Sequence, residues 1–302
     1  MIIRRATTGD VPDIYAVLAS VGGSMPWQDE QECRHHIEWM LRLGALPVVV
    51  EEHGAVIAEM EMWWGPDVPE LGTTLDVSML NVRADRQRRG VGGGLLARAL
   101  RLASEKRCNC CCVWGDRDAI GFYRKQGFSD RLAVRTFSLD PRPHSIPEGF
   151  TCEPVSLESL PEPDGRCMRT QRLLHPRLHW NVLVDAERNP PTWRGHGGAP
   201  APPVAYRGRR AGHAEPFVAV FRPAYWTGDA GRAEFYLWSD VCDRPLLGAA
   251  MSLATRIGTT DLRTCAYGPT ADILAGLGTE VCHRQTVLAK SADGRIAPAT
   301  DN

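Results

Sequence analysis

The stretch from Asp76 to Leu100 most constrains what this chain can fold into. An apolar run, Val77 to Val82, predicts a β-strand, and leucines at helical spacing after residue 94 predict a helix. Between them lies a basic turn that ends in glycines, QRRGVGG, residues 87–93. The first backbone N–H groups of a helix have no partner within the helix and lie at its positive dipole end. Because glycines let an anion reach those groups, the stretch predicts an anion-binding site.

The spacing of this turn excludes two common nucleotide-binding motifs. The P-loop ends in Lys followed by Ser or Thr, and no such pair follows these glycines. The pattern Gly-x-Gly-x-x-Gly with an acidic residue downstream does not fit either. The chain has Gln87-x-x-Gly90-x-Gly92 instead.

A second patterned segment, DRDAIGFYRKQGF at residues 116–128, follows a predicted strand from Cys108 to Trp114. Together the two segments resemble the motifs of the GNAT superfamily of N-acetyltransferases, Gln/Arg-x-x-Gly-x-Gly/Ala and Asn-x-x-Ala-x-x-Phe-Tyr-x-x-x-Gly-Phe. Asp116 stands where the family usually has Asn, which puts the expected side-chain hydrogen bond to pantetheine in doubt. The residues that match the second motif are Ala119, Phe122, Tyr123, Gly127 and Phe128.

The predicted order of elements before residue 140 is also that of the family. It runs strand, two helices, hairpin, strand, the basic turn of residues 87–93 (the anion turn) with its helix, strand, helix, strand. The predicted bounds are Met1–Ala6, Asp10–Val21, Asp29–Leu43, Leu46–Glu52, Ala55–Trp64, then the segments described above, and a final strand at Leu132–Asp140. The resemblance therefore covers residues 1–140.

The resemblance implies direct acetyl transfer from acetyl-CoA to an amine, without a metal. It places the diphosphate on the turn backbone and the pantetheine along the strand near Leu80. A backbone N–H of that strand would stabilise the thioester oxygen, and Tyr123 would be the general acid for the leaving thiolate. The alternative for Tyr123 is a tyrosine that only packs in a helix. The implied coenzyme-binding residues are Leu80, Asn81, Val82, Gln87, Arg88, Arg89, Gly90, Val91, Gly92, Gly93, Asp116, Ala119, Phe122 and Tyr123.

The predicted strand Ala55–Trp64 places Glu59, Glu61 and Trp63 on one face. This face is either solvated or an acidic, aromatic wall for a cationic amine. An alkyl ammonium must lose a proton before it can attack, because its pKa is near 10. Glu61 and Glu59 are therefore the candidate bases. Asp76 is a third candidate, or else a surface acid at the start of a strand.

The acceptor side is expected to carry aromatic groups. The predicted substrate residues are Trp39, Glu59, Glu61, Trp63 and Asp76. Met60, Met62 and Trp64 either join them or pack in the core. His35 and His36 fall in the second helix, where adjacent residues diverge by about 100°. The histidine pair is therefore expected at the surface or the substrate rim rather than at a metal.

Three prolines in residues 141–150 predict a linker between a catalytic domain, 1–140, and a second domain, 151–302. The second domain repeats the element order of the first, but DVCDRPLLGAA, residues 240–250, replaces the anion turn. Aligning Gly278 with Gly127 places Leu274 at the position of Tyr123.

The fold class predicted is α+β (α/β), with two GNAT-like domains in tandem, each a mixed, mostly antiparallel sheet flanked by helices. The second is expected to bind no coenzyme A and to supply a substrate wall or dimer surface. An amino-terminal fragment is expected to keep the coenzyme site.

Composition excludes several other classes. The net charge of −1 argues against nucleic-acid or membrane-surface binding, and no apolar run approaches the roughly 20 residues of a membrane span. A cytoplasmic homodimer is expected.

Four of the ten cysteines crowd the segment 108–112, where alternating side chains point to opposite faces of a strand. Buried packing of these thiols is expected, not a zinc site.

The substrate is the least constrained part of the prediction. An active amino-terminal unit and an inactive carboxy-terminal one resemble the bleomycin-type antibiotic N-acetyltransferases. Mycothiol synthase is also tandem, but its transfer is assigned to the carboxy-terminal unit. The alternatives are a protein or peptide N-acetyltransferase and a non-catalytic acyl-CoA sensor.

Overall fold

The computed structural model describes residues 1–22, 27, 29–68, 71–115, 119–140, 146–164, 167–170, 176–189, 202–223, 232–277 and 279–292. The chain forms two compact units. Unit 1 comprises Met1–Arg131 with Thr286–Asn302, and unit 2 comprises Leu132–Gln285.

Unit 1 follows the predicted order of elements. Its strands are β1 (Ile2–Arg5), β2 (Val48–Glu52), β3 (Ala55–Val68), β4 (Gly72–Val82) and β5 (Cys110–Gly115), and its helices are α1 (Val11–Val21), α2 (Glu30–Arg42), α3 (Val91–Glu105) and α4 (Ile120–Lys125). The hydrophobic stripe of α3 packs on Met60, Met62 and Leu75 from one face of the sheet. The opposite face is covered by α1 and α2, whose Ile14 and Ile37 are fully buried.

The sixth strand of unit 1 comes from the end of the chain. β6 spans Ser129–Leu139 and β13 spans Glu280–Ser291. Residues 286–291 of β13 pair antiparallel with residues 110–115 of β5, giving the strand order β1-β2-β3-β4-β5-β13. Among the described strands of unit 1, β4 and β5 are the one parallel pair. The prediction that Leu132–Asp140 closes the first unit is therefore wrong, because Leu288 takes that place in the core.

Unit 2 repeats this arrangement. Its remaining strands are β7 (Phe150–Val155), β8 (Met168–Thr170), β9 (Val204–Arg210), β10 (Phe217–Pro223), β11 (Arg232–Trp238) and β12 (Asp261–Ala266), and its helices are α5 (Pro176–Arg188), α6 (Arg244–Ser252) and α7 (Gly268–Gly276). The strand order is β7-β9-β10-β11-β12-β6, and β11 and β12 are the parallel pair. Residues 135–139 of β6 complete this sheet against β12, and Phe137 and Leu139 are fully buried in its core.

The two units thus differ in extent from the domains 1–140 and 151–302. The predicted boundary follows the prolines of residues 141–150, of which 141–145 lie outside the described residues. The observed division follows hydrogen bonding, since β6 contributes to unit 2 and the end of β13 contributes to unit 1. The fold class is as predicted, with two mixed, mostly antiparallel sheets flanked by helices.

The cysteines of residues 108–112 pack as small buried side chains, as predicted. Cys111 belongs to the core under α3, and Cys110 and Cys112 lie on the other face, with their Sγ atoms 3.6 Å apart. Among the described residues, none of the helices has the length and apolar character that crossing a bilayer requires.

Candidate active site

The start of α3 is open to an anion. Gly90 precedes the helix in a left-handed conformation (φ 84°) that favours glycine, and no side chain caps the first turn. The N–H groups at this end therefore keep their capacity to donate to a bound anion. This is the arrangement that the pattern at residues 87–93 predicts.

Gly92 is needed for a close approach between elements. A Cβ atom at this position would lie 3.2 Å from Cζ of Phe122 in α4 and 3.5 Å from Cδ2 of Leu80 in β4. At Gly94, one residue from the end of the turn, a Cβ would meet nothing within 4 Å. A side chain at position 92 would therefore press on α4 and β4, and glycine lets the first turn of α3 lie close to both.

The arginines of the turn divide into two groups. Arg86 pairs with Glu52 at 2.8 Å and Arg83 pairs with Asp85 at 2.7 Å. Among the described residues, no ion pair or side-chain hydrogen bond is formed by Arg88 or Arg89. These two remain available to a phosphate.

β4 has a free edge next to this turn. It pairs with β5 from Thr74 to Val77, and the register ends there. Ser78 is then the extra residue of a bulge, since Met79 pairs with Glu61 and Val77 with Met62. Among the described strands, residues 79–82 pair with β3 alone. Their other edge therefore presents backbone groups to which an extended ligand can add as a strand.

Tyr123 lies in α4, next to Phe122, which like Leu80 of β4 lies close to Gly92. It is buried and packs against Phe122 and Phe128, with ring centroids 5.3 and 6.1 Å apart. Ala119 precedes the helix and accepts the backbone hydrogen bond of Tyr123 at 3.1 Å. Asp116, which was predicted to contact the coenzyme, lies outside the described residues.

Three carboxyl groups are buried on the face of the sheet that α2 covers. Glu59, Glu61 and Asp76 are 2%, 2% and 1% exposed. Glu59 and Glu61 alternate with Met60 along β3, and Asp76 pairs across the strands with Trp63. The alternatives of a solvated face and of a surface acid at Asp76 are therefore both wrong.

Burial changes the protonation of two of these groups. The pKa of Glu59 is raised to about 8 by burial and by the charge of Glu61, although the amide of Asn81 donates to its Oε1 at 2.6 Å and opposes the rise. Burial also raises the pKa of Asp76 to about 7. Both carboxyl groups thus titrate near neutral pH, where an amine base must work.

His36 is the site residue that the sequence analysis missed. Its Nε2 lies 2.8 Å from Oε1 of Glu61, and the ring is buried between Trp27 and Trp39, with centroids 4.9 and 5.9 Å away. The expectation of a surface position is wrong for His36, and that of a position at the substrate rim stays a prediction. A signal was present, because His36 falls in the helical stripe of Cys33, Ile37 and Met40, all buried.

The aromatic residues predicted at the acceptor side separate in the structure. Trp39 and Trp63 meet edge to face at 6.0 Å, over the acidic face. Met60 and Met62 belong to the core under α3 and are not available to a substrate. Trp64 is 45% exposed, and the ammonium group of Lys106 lies 4.8 Å from its ring centroid.

The corresponding parts of unit 2 are occupied by its own residues. Asp243 caps α6 by accepting from the N–H of Leu246 at 2.9 Å, and it forms an ion pair with Arg210. β8 pairs with β11 at Leu237 and Trp238, past the end of the register with β12. β11 of unit 2 corresponds to β4 of unit 1, and β8 covers the edge of β11 that corresponds to the open edge of β4. Leu274 is buried. Its correspondence to Tyr123 stays a prediction, because Gly278 lies outside the described residues.

Comparisons with known proteins agree with this geometry. The sequence matches no curated protein at a significant level. A family model described as an acetyltransferase (GNAT) domain matches residues 44–130, which contain β3, β4, the anion turn, α3, β5 and α4.

Solved structures resemble the whole chain. A GCN5-related N-acetyltransferase from Anabaena variabilis ATCC 29413 has a TM-score of 0.62 at 12% identity, over 96% of this chain and 72% of that one. A tandem GNAT protein from the clavulanic acid biosynthesis pathway has a TM-score of 0.58 at 17% identity, over 99% of both chains. A GCN5-related N-acetyltransferase from Sphaerobacter thermophilus has a TM-score of 0.58 at 16% identity, over 100% of this chain and 97% of that one. Residues 44–130 therefore match an acetyltransferase (GNAT) domain, and the fold of the chain is similar to that of GNAT structures, a tandem GNAT protein among them.

Proposed function

We propose that this protein is an acetyl-CoA-dependent N-acetyltransferase that acts on a primary amine of a small molecule. The observation that carries the proposal is the open edge of β4, residues 79–82, beside the uncapped start of α3 at Gly90. A ligand with a chain of amides that ends in a diphosphate suits both features. Its amides can pair with the open edge of β4 as an added strand, and its diphosphate can bind at the start of α3.

The residues present fit coenzyme A. The turn backbone from Arg88 to Gly93 would hold the diphosphate, with the free guanidinium groups of Arg88 and Arg89 adding charge. Leu80, Asn81 and Val82 would pair with the pantetheine, and Ala119 and Phe122 would flank it. Acetyl-CoA supplies the acetyl group as a thioester.

Two groups of the chain would then assist the transfer. A backbone N–H of β4 near the bulge at Ser78 would donate to the carbonyl oxygen as negative charge develops on it. Tyr123 would give its proton to the departing sulfur. Its place in α4, next to Phe122, which like Leu80 of β4 lies close to Gly92, supports this role.

The acceptor would bind on the face that carries Glu59, Glu61 and Asp76. Buried carboxyl groups favour a cationic ligand, because an ammonium group compensates for their lost hydration. Trp39 and Trp63 favour one with an aromatic or broad apolar part. Bleomycin-type glycopeptide antibiotics are the first class we propose, with a role in resistance or self-protection. The similar tandem GNAT protein from the clavulanic acid biosynthesis pathway supports a small-molecule substrate.

A panel of amines tests this function. The protein is incubated with acetyl-CoA and with bleomycin, 2-phenylethylamine, tryptamine or lysine-containing peptides, and products that gain one acetyl group are detected by mass spectrometry. Acetylation of a small amine is expected. Acetylation of peptides alone would identify a peptide N-acetyltransferase, and binding of acetyl-CoA without turnover would identify an acyl-CoA sensor.

We also propose that the protein works as a cytoplasmic homodimer in which unit 2 supplies a substrate wall or the dimer surface. The support is that unit 2 repeats the fold while β8 and Asp243 fill the positions of a coenzyme site. Light scattering on the full-length protein tests the dimer, and a mass of one chain would contradict it.

A further inference from the structure

The strand register separates the three carboxyl groups that compete for the role of base. Glu61 pairs with Met79, directly after the bulge at Ser78, where β4 leaves β5. Asp76 lies before the bulge, in the part of β4 that β5 still covers. Glu59 pairs with Asn81 and therefore lies farther from the bulge than Glu61, by two residues or about 7 Å along the strand. An acyl chain that adds to the open edge of β4 would therefore reach the bulge nearest to Glu61.

The hydrogen bonds distinguish the two glutamates further. Oε1 of Glu59 accepts from the amide of Asn81 at 2.6 Å, a group that can neither take up nor pass on a proton. Oε1 of Glu61 lies 2.8 Å from Nε2 of His36, and its Oε2 lies 3.4 Å from Oγ of Ser78. Glu61 is thus oriented by an imidazole on one oxygen, while the contact of its second oxygen with Ser78 at the bulge is long.

The imidazole itself is held firmly in place. His36 lies on the buried side of α2 and packs between Trp27 and Trp39. Two large rings leave it little freedom to rotate away from Glu61. A side chain that fixes a carboxylate in one orientation gives that carboxylate the geometry that proton transfer requires.

We propose that Glu61 accepts the proton of the acceptor ammonium and that His36 is the positioning residue that orients Glu61 for it. This inference rests on the proposed acetyltransferase function. His36 donates Nε2–H to Oε1 of Glu61, and Oε2 takes one proton from R–NH₃⁺. The amine nitrogen forms its bond to the acetyl carbon, and Tyr123 gives its proton to sulfur as the C–S bond breaks. The second N–H proton then restores Tyr123, so that each turnover yields one amide, one thiol and one proton released through Glu61.

Steady-state kinetics with 2-phenylethylamine test the pair. His36→Ala is expected to lower kcat about 10- to 100-fold, because the carboxylate loses its orientation, with the KM for acetyl-CoA within about 2-fold of wild type. His36→Gln, which can place an amide N–H near the position of Nε2, should recover most of kcat. Glu61→Gln should lose more activity than Glu59→Gln. Glu38→Ala, on the exposed side of the same helix, is the matched control and should equal wild type.

A second amine separates positioning from a merely structural effect. The β,β-difluoro analogue of 2-phenylethylamine has a more acidic ammonium group, so it is more often neutral and depends less on a base. The loss of kcat in His36→Ala should therefore be several-fold smaller with this analogue. A loss of packing alone would slow both amines equally, and that result would overturn the proposal.

Nitrogen NMR of His36 gives a measurement that needs neither turnover nor a folded variant. The proposal requires a proton on Nε2, and a ring protonated on Nδ1 alone would overturn it. An active wild type with an equally active His36→Ala would also overturn the role of the pair. A wild type that acetylates no amine of the panel would instead overturn the proposed function itself, and with it this role.

Discussion

The amide of Asn81 donates to Oε1 of Glu59 over 2.6 Å in the interior of unit 1, and this bond does not keep the carboxyl group ionised at neutral pH. Burial and the neighbouring charge of Glu61 outweigh it and raise the pKa of Glu59 to about 8. The folded protein therefore binds a proton that the unfolded chain has already released over the range from about pH 4.5 to about pH 8. Folding stability falls as the pH rises through this range.

Glu59→Gln should remove most of that dependence, because glutamine resembles the protonated carboxyl group and does not titrate. Near pH 5 the variant and the wild type should unfold with similar free energies. At pH 8.5 the variant should be more stable by roughly 1 to 3 kcal/mol. Urea unfolding at several pH values measures this, with Glu38→Gln as an exposed control. An equal slope with pH in wild type and Glu59→Gln would contradict the raised pKa.

Gly92→Asp should abolish the binding of acetyl-CoA. The side chain would place bulk against Phe122 and Leu80 and add negative charge at the start of α3, where the diphosphate would bind. Gly94→Ala is the matched control. Its methyl group meets nothing within 4 Å, so coenzyme affinity should hold while the helix gains about 0.5 to 1 kcal/mol of stability.

Isothermal titration calorimetry measures both variants and the number of sites. Wild type should bind one acetyl-CoA per chain, because β8 and Asp243 fill the equivalent positions of unit 2. Gly92→Asp should then show no residual binding. A folded Gly92→Asp variant with wild-type affinity would refute the proposal that the turn binds the diphosphate. Two sites in wild type would refute the prediction that unit 2 binds no coenzyme A.

Tyr123→Phe should lower kcat by about 10- to 1,000-fold with little change in the affinity for acetyl-CoA. Phenylalanine preserves the packing on Phe122 and Phe128, so the change removes only the hydroxyl group. The rate of thiol release measures kcat, and calorimetry measures the affinity. Tyr206→Phe, a buried tyrosine in the core of unit 2, is the control for the substitution itself. Wild-type turnover in Tyr123→Phe would leave packing as the role of this residue.

Local features of the fold could be predicted from the sequence. The turn before α3 depends on residues close together in the chain, since Gly90 takes the left-handed conformation and the leucines after it lie at helical spacing. The alternation of Glu59, Met60 and Glu61 likewise fixes which side chains share a face of β3. Their burial could not be predicted, because it depends on what α2 covers.

The sequence pattern does not predict that β6 completes the sheet of unit 2 and that the end of β13 completes the sheet of unit 1. Residues 132–139 and 286–291 are both short strands with buried apolar side chains, and such a pattern does not identify a partner strand. The choice depends on which core each apolar side chain fills, as with Phe137 in unit 2 and Leu288 in unit 1. The pairing of His36 with Glu61 has the same origin, since a contact between α2 and β3 follows from tertiary packing.

The last strand makes the amino-terminal fragment a sharp test of this fold. Val287, Leu288 and Ala289 are buried in unit 1, and the Nζ of Lys290 donates to the carbonyl of Gln126 at 2.9 Å. A chain that ends at Gln285 should therefore lose the fold of unit 1 and with it acetyl-CoA binding, contrary to the expectation from the sequence. Leu288→Ala in the full chain should cost about 2 to 5 kcal/mol, the usual range for a buried leucine. A chain that ends at Ala292 keeps every described strand and should bind as wild type does. Acetyl-CoA binding by a folded fragment 1–149 would show that unit 1 can close its sheet without β13.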